Sequence, residues 1–479
     1  MKTRQLEKLG VPPGPLAQMA KWMVRQAHDA GLDRRGVQER LHSVLLNPAD
    51  HRDDKYFGQL AQALYAQAQD QAAAAQIFAP RAEPAPWRQW GTDIDAQAIA
   101  QMVQAARLPV SVRGALMPDA HVGYGLSIGG VLATRGAVIP YAVGVDIACR
   151  MKLTVLDLPP VTLERHPDRL RRALEEETRF GMGAEFSGRR GDPAPREHEV
   201  LDQDWSVTPV TQRFKDKARL QLGTSGSGNH FVEFGCLTIE EVPARALGLP
   251  AAGTYLALLS HSGSRGTGAK VADYYSRLAM RLQPQLPREL RDLAWLDLDT
   301  EPGQEYWAAM TLMGAYAAAN HAVIHKAIAR HLGARVLLDL ENHHNFAWRE
   351  KHDGQDLIVH RKGATPAQRG VLGIIPGSMT APAYLVRGRG CAPALDSAAH
   401  GAGRRMSRTQ ARNTYRWAAV RPLLEERGVT VLSAGIDEVP FVYKDIDSVM
   451  AAQEDLVEKL ARFDPKLVKM APEGERAED

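Results

Sequence analysis

Apolar and polar positions alternate with two different rhythms along the chain. In residues 1–85 apolar positions recur at helical spacing, as at Leu41, Leu45 and Leu46, among Ala, Gln, Arg and Asp. The nearly uncharged, Ala- and Gln-rich run 56–78 predicts a helix by propensity. Residues 79–86 hold three prolines in eight positions, which predicts a linker closing a small helical accessory module over 1–85. From Trp87 onward the texture changes to short apolar runs stopped by Gly, Pro, Asn or His: SIGGVLAT, GAVIPYAVGVDIAC, YLALLSHSG, ARVLLDLENHH, LIVHRKGA and GVLGIIPGSM. Each is too short for a helix, so these are expected to be buried strands that feed loops. Helical spacing returns over 304–332, 409–427 and 449–463. The mixture lacks a strict strand–helix rhythm and predicts an α+β catalytic domain over 86–470. A polar loop is expected over 181–205 and a frayed, charged tail over 471–479; no internal repeat is visible.

Composition narrows the function. The 479 residues are 44% hydrophobic and 24% charged, the balance of a folded globular protein rather than a disordered one. Three cysteines cannot make a disulfide framework, which favours a reducing compartment. No apolar run reaches membrane-spanning length and the N-terminus lacks a secretory pattern, so a cytoplasmic protein with no membrane partner is expected. Lys and Arg total 59 against 56 Asp and Glu, a net charge of +3. Binding of a polyanion by bulk charge is thereby excluded, and any such partner must be held by local clusters.

Five blocks place metal-type ligands or glycine-rich turns at the ends of predicted strands. GVDIACRM carries Asp146 and Cys149, GTSGSGNHFVEF carries Asn229, His230 and Glu233, and LLSHSGSRGTG carries His261. DLENHHNFA carries His343, His344 and Asn345, and SAAHGAGRRMSR carries His400. Singly, each has an ordinary explanation as a structural hydrogen-bonder, a small buried side chain or a turn. Together, one thiol, one carboxylate and three imidazoles suit two adjacent ions of the zinc, manganese or iron type. Paired metals are a recurring device for phosphoryl chemistry, and Gly/Ser loops can cradle phosphate with backbone N–H groups. His400 has a separate role. Arg387 and Arg389 precede it, Arg404, Arg405, Arg408 and Arg412 follow it, and Asp396 is the only acid between Arg387 and Arg412. An imidazole nucleophile in an anion-binding pocket fits that setting.

At this point the chain resembles the RtcB family of RNA-splicing ligases. The resemblance runs from about Trp87 to Lys469 and keeps motif order: MPDAHVGYG, IPYAVGVDIAC, GSGNHFVE, HSGSRG, HHN, RKGATPA, IPGSM, HGAGRRMSR, DEVPFVYKDID and VKM. It implies a single α+β domain around a deep cleft holding two Mn²⁺ ions. Its implied activity, with GTP, joins RNA ending in a 2′,3′-cyclic phosphate or 3′-phosphate to RNA with a 5′-hydroxyl, in tRNA splicing or RNA repair. By resemblance Cys149 bridges the ions, with Asp146 and His230 on one and His261 and His344 on the other. His400 is the implied nucleophile that takes GMP, and Asp119 is tied to the chemistry of the RNA ends. Nucleotide contacts are implied for Asn229, Glu233, His344, Asn345, Pro376, Gly377, Ser378, Met379, His400, Gly401, Ala402, Gly403, Tyr443 and Lys469. RNA or anion contacts are implied for Arg404, Arg405, Arg408 and Arg412. The chain is expected to act as a monomer, with room for an activating protein.

Two departures from the family pattern stand out. Arg150 follows Cys149 where a glycine is common, and Ala383 replaces a phosphate-contacting serine, removing about 0.5–1.5 kcal/mol of hydrogen bonding if nothing substitutes. They motivate one alternative, a paralogue that caps or processes 3′-phosphate ends of RNA or DNA with little joining. A second, from a different class, is a catalytically silent RNA-binding protein, against which the complete ligand set argues.

Overall fold

The computed structural model describes residues 5–6, 9–12, 14–77, 80–189 and 191–476. Its contacts divide the chain into two units, Met1–Ala79 and Pro80–Asp479. The first unit packs the helices Pro15–Asp29, Arg34–Leu46 and Gly58–Ile77 around Val24, Leu41, Phe57 and Leu60. Asp33 caps the second of these by accepting from Gly36 N at 2.8 Å. Positions 78 and 79, where the predicted helix ends and the linker begins, lie outside the described residues, as do 477–479 of the tail.

The second unit mixes helices with sheets that are antiparallel except for two strand pairs. In chain order its first strands are β1 (Trp87–Gln89), β2 (Ser111–His121), β3 (Ile128–Thr134), β4 (Ala137–Val138), β5 (Arg150–Leu156), β6 (Phe231–Ile239) and β7 (Gly253–Ser262). There follow β8 (Leu296–Asp297), β9 (Val336–His343), β10 (Asn345–His352), β11 (Gln355–Lys362), β12 (Ala364–Pro366) and β13 (Leu372–Ile375). The last are β14 (Ala383–Gly388), β15 (Ser397–Ala399), β16 (Thr430–Ser433) and β17 (Val457–Met470). One sheet has the order β1-β2-β3-β11-β10 and the larger has β13-β14-β17-β6-β7-β5-β9, with β16 added beside β17.

The larger sheet separates two cores by the period of two along its strands. Leu256 and Leu258 of β7 and Val232 and Phe234 of β6 pack with Ile324 and Ile328 of the long helix Glu301–His331. Ala257, Leu259, Leu237, Met151 and Leu153 face the other way, onto a core shared with Leu385 and Phe463.

Three predicted elements need correction. The run 136–149 is not one strand: β4 is two residues long, Pro140 opens the one-turn helix Pro140–Val143, and Gly144 ends it at φ +111°. Pro140 has no N–H to give a ladder but suits a first helical turn. The predicted helix over 409–427 is two helices, Arg408–Thr414 and Trp417–Arg427, broken at Tyr415 and Arg416 in extended conformation. The predicted helix over 449–463 is the short helix Ile446–Ala451 followed by β17, the strand between β14 and β6. Leu456, Leu460 and Phe463 imitate helical spacing, but burial between two strands decides the conformation.

Candidate active site

Strand alternation carries the reactive groups to one side of the sheet. His261 on β7 shares the face of Ala257 and Leu259, and Cys149 shares that of Met151 just before β5 begins. Phe231 pairs with His261 across β6 and β7, and His344 follows directly on β9, donating its backbone N–H to Cys149 O at 3.0 Å. Ala148 takes a left-handed φ of +57° in the turn that brings Asp146 and Cys149 to the same floor. Gly263 is required there, because a Cβ would lie 2.0 Å from Asp146 Oδ2.

The donor atoms converge. Cys149 Sγ lies 3.1 Å from His261 Nε2 and 3.4 Å from His230 Nε2, and all three atoms fall within 4.8 Å of one another. His344 Nε2 lies 3.1 Å from His261 Nε2, and Asp146 Oδ2 lies 3.1 Å from His230 Nε2. The outer faces are held in place. His261 Nδ1 contacts Asn229 O at 3.1 Å, His230 Nδ1 contacts Arg265 Nη1 at 3.3 Å, and Asp146 Oδ1 accepts from Ser264 N at 3.0 Å. Burial drives His261 down to about 3 and His344 well below its ordinary value. For Asp146 burial acts upward, but His230 and Arg265 beside it prevail and hold the carboxyl at about 2. Neutral imidazoles and an ionised carboxylate are the forms that bind a metal.

His400 stands beside this cluster, its ring 4.9 Å from that of His344. It follows β15 and is held by fully buried Asp119 of β2, whose Oδ2 lies 2.6 Å from His400 Nδ1 and accepts from the N–H of His400 at 3.2 Å and of Gly401 at 3.4 Å. The Asp119 strand is itself clamped. Lys444 Nζ donates to Pro118 O at 3.0 Å, to Ala120 O at 3.1 Å and to Asp93 O, and a Cβ on Gly403 would lie 2.0 Å from Asp119 O.

Cluster and His400 form the floor of a cleft of about 980 Å³, at the upper end of the range for small-molecule sites. Asn229, Glu233, Asn345, Pro376, Gly377, Ser378, Met379, Gly401, Ala402, Gly403 and Tyr443 line it, with Arg404, Arg405 and Arg408. Asn345 ties the walls together, donating to Asp146 O at 3.2 Å and accepting from Gly363 N at 2.8 Å. Burial pushes Glu233 well above the usual carboxylate range.

Several expectations are corrected here. Lys469 does not line the cleft: it pairs with Val232 on the helix-packed face and donates to Leu174 O at 3.1 Å, while Val468 and Met470 line the cleft in its place. The arginines after His400 are not an unopposed basic cluster. Arg404 Nη1 meets Glu438 Oε2 at 3.3 Å, Arg408 pairs with Asp437 at 3.2 Å and with Glu438, and Arg412, outside the cleft lining, meets Asp437 at 2.8 Å. Tyr443 also donates to Glu438, beneath the Arg404 guanidinium. Arg387 pairs with Glu458, leaving Arg405 as the exposed guanidinium of the group at the cleft. His343 turns away to pack on Trp348 and Phe346. Arg150 also turns away from the thiol, to Glu341 at 2.9 Å and Gly314 O at 3.2 Å, and Ala383 is buried in the cleft wall.

The cleft also contains residues that sequence reasoning passed over: Asp93, Asp95, His121, Tyr124, Lys362 and Lys444. Four of them sit inside MPDAHVGYG, RKGATPA and DEVPFVYKDID, where no ligand-type spacing drew notice.

Reactive groups gathered from separate segments onto one buried floor define an enzyme. Comparison with known proteins carries this to a family. Residues 101–470 match the family described as tRNA-splicing ligase RtcB. The chain is 34% identical over 409 residues to the RNA-splicing ligase RtcB of Escherichia coli (strain K12), covering 78% of this chain and 95% of that protein. To the RNA-splicing ligase RtcB of Mycobacterium tuberculosis (strain ATCC 25618 / H37Rv) it is 34% identical over 428 residues, 76% and 98% of the two chains. To the tRNA-splicing ligase RtcB of Nanoarchaeum equitans (strain Kin4-M) the values are 33% over 422 residues, 74% and 87%. The chain belongs to the RtcB family of RNA-splicing ligases.

Proposed function

We propose that this protein is a GTP- and Mn²⁺-dependent ligase that joins RNA 3′-phosphate or 2′,3′-cyclic phosphate ends to 5′-hydroxyl ends through a guanylyl-histidine at His400. The observation that carries the reading is the Asp119–His400 pair beside the donor cluster. A carboxylate on Nδ1 fixes the tautomer with its proton there and leaves the Nε2 lone pair as the nucleophile, while balancing the charge that develops on the ring. His400 Nε2 then attacks the α-phosphorus of GTP, forming a P–N bond as the bond to the β-phosphate oxygen breaks and pyrophosphate leaves. An oxygen of the RNA 3′-phosphate displaces His400 from that phosphorus. The 5′-hydroxyl attacks the activated 3′-phosphate, GMP departs, and a 3′,5′-phosphodiester remains.

The donor set fits two ions of the manganese type. Cys149 would bridge, Asp146 and His230 would serve one ion, and His261 and His344 the other. Asp146 Oδ2 is buried and makes no hydrogen bond among the described residues. When bound, the ions supply Lewis-acid charge to phosphate oxygens. In its ionised form Glu233 would accept from the guanine N1–H and N2 amino donors, a pattern adenine lacks, and Tyr443 would offer a ring to the base. The turns Gly377–Ser378 and Ala402–Gly403 line the same cleft, and their backbone N–H groups would cradle phosphate.

The test is joining of a 3′-phosphate RNA to a 5′-hydroxyl RNA with GTP and Mn²⁺. Joined product is expected from the wild type and is expected to disappear when Mn²⁺ is chelated or Cys149 is changed to Ser. Guanylylated 3′ ends that accumulate without joining would replace this reading by that of an end-capping enzyme.

A further inference from the structure

We propose that Tyr124 is the stacking platform for the unpaired terminal base of the RNA strand that carries the 3′-phosphate. The inference rests on the RNA-ligase reading above and deepens it by assigning a place to the second substrate.

Ring contacts give the cleft an order. Phe231 lies 5.7 Å from His261, His261 lies 5.1 Å from His344, and His344 lies 4.9 Å from His400. Gly363 also borders His400: a Cβ there would lie 3.1 Å from His400 Cε1. Lys362 comes next, and its Nζ donates to Tyr124 O. Two runs of neighbouring residues therefore lead from the reacting histidine, forming one arm with Glu233 and Phe231 and one with Lys362 and Tyr124. GTP held by Glu233 occupies the first arm. The second receives the strand whose terminal phosphate must reach His400 after guanylylation.

Tyr124 has the features of a built platform. It lines the cleft yet is 66% exposed, an unusual position for a large aromatic side chain. Its ring leans on Tyr141 at 6.4 Å and 34°. Its backbone is pinned from three directions. Gln101 makes two hydrogen bonds to Gly123, at 2.5 and 3.1 Å; Lys362 holds Tyr124 O; and Gly125, at φ +67°, packs so closely that a Cβ would lie 2.6 Å from Asp292 O. A fixed turn that leaves an aromatic ring uncovered is pre-organised to stack a planar group. Asp93 and Asp95 line the same cleft, and their carboxylates can accept from base amino groups.

The experiment uses the full chain charged with labelled GMP and chased with a 3′-phosphate RNA alone. Tyr124→Ala is expected to label at the wild-type rate, while GMP transfer to RNA needs about ten-fold more RNA for half-saturation, the size of one lost stack. Tyr124→Trp is expected to restore transfer. Transfer by Tyr124→Ala that saturates at the wild-type RNA concentration would overturn the assignment. In a second chase with a 5′-hydroxyl RNA added, a defect confined to joining would also overturn it, giving the ring to the 5′-hydroxyl strand. Absence of labelling in the wild type would remove the ligase reading itself, an outcome distinct from both.

Discussion

At the scale of single residues, pairing with Asp119 distinguishes His400, the proposed nucleophile, from a merely buried histidine. His321 and His325 are buried as well, but they bond to Ser260 and their pKa values are driven far down by desolvation. His400 is part-exposed on the cleft and meets a fully buried carboxylate that accepts from three donors of its own loop. Asp119→Asn keeps the volume but removes the charge that fixes the tautomer. It is expected to slow formation of the guanylylated protein by at least about 100-fold, read from a time course of label incorporation. A change of less than about three-fold would show that the carboxylate only buttresses the loop. This pair was half legible in the sequence. His400 announced itself through its glycine turn and arginines and Asp119 through the family motif, but their pairing across 281 positions is made only by β2.

At the scale of elements, the period of two along a strand decides which motif residues reach the chemistry. It puts Cys149, His261 and Glu233 in the cleft and turns Arg150 and Lys469 out of it. The sequence reading located β3, β7, β9, β11 and β13 because their apolar runs are bounded by glycine, proline, asparagine or histidine. It misread β17 because Leu456, Leu460 and Phe463 satisfy helical spacing equally well, and the neighbours that force extension are far away in the chain. With β17 unrecognised, the facing of Lys469 had no basis. The arginine cluster was misjudged for the same reason. Asp437 and Glu438 lie 25 or more positions beyond the arginines, and folding alone brings them together. Two substitutions test the register. Glu233→Ala is expected to raise the KM for GTP in guanylylation, whereas Lys469→Ala is expected to leave it within about two-fold. Equal effects would place both side chains at the nucleotide.

At the scale of the whole molecule, the net charge of +3 describes a chain whose cleft charges are largely paired. Attraction for a nucleic acid is then local, at Arg405 and at whatever ions the donor cluster holds, rather than spread over the surface. No described helix is long and apolar enough to cross a membrane. The two contact units each have a core of their own, and every residue assigned here to the chemistry belongs to Pro80–Asp479. A chain shortened to residues 80–479 is therefore expected to fold and to form the guanylylated protein at a rate within about three-fold of the full chain. A larger loss would assign the N-terminal unit a part in the reaction.

The central claim is that His400 carries the nucleotide. Incubation of the full chain with GTP labelled at the α-phosphate and Mn²⁺ tests it most directly, with His400→Ala beside it. The account predicts a covalent, acid-labile label on the wild type, as a phosphoramidate requires, and none on the variant. A wild type that binds Mn²⁺ but takes up no label, or a label that persists in His400→Ala, would contradict it.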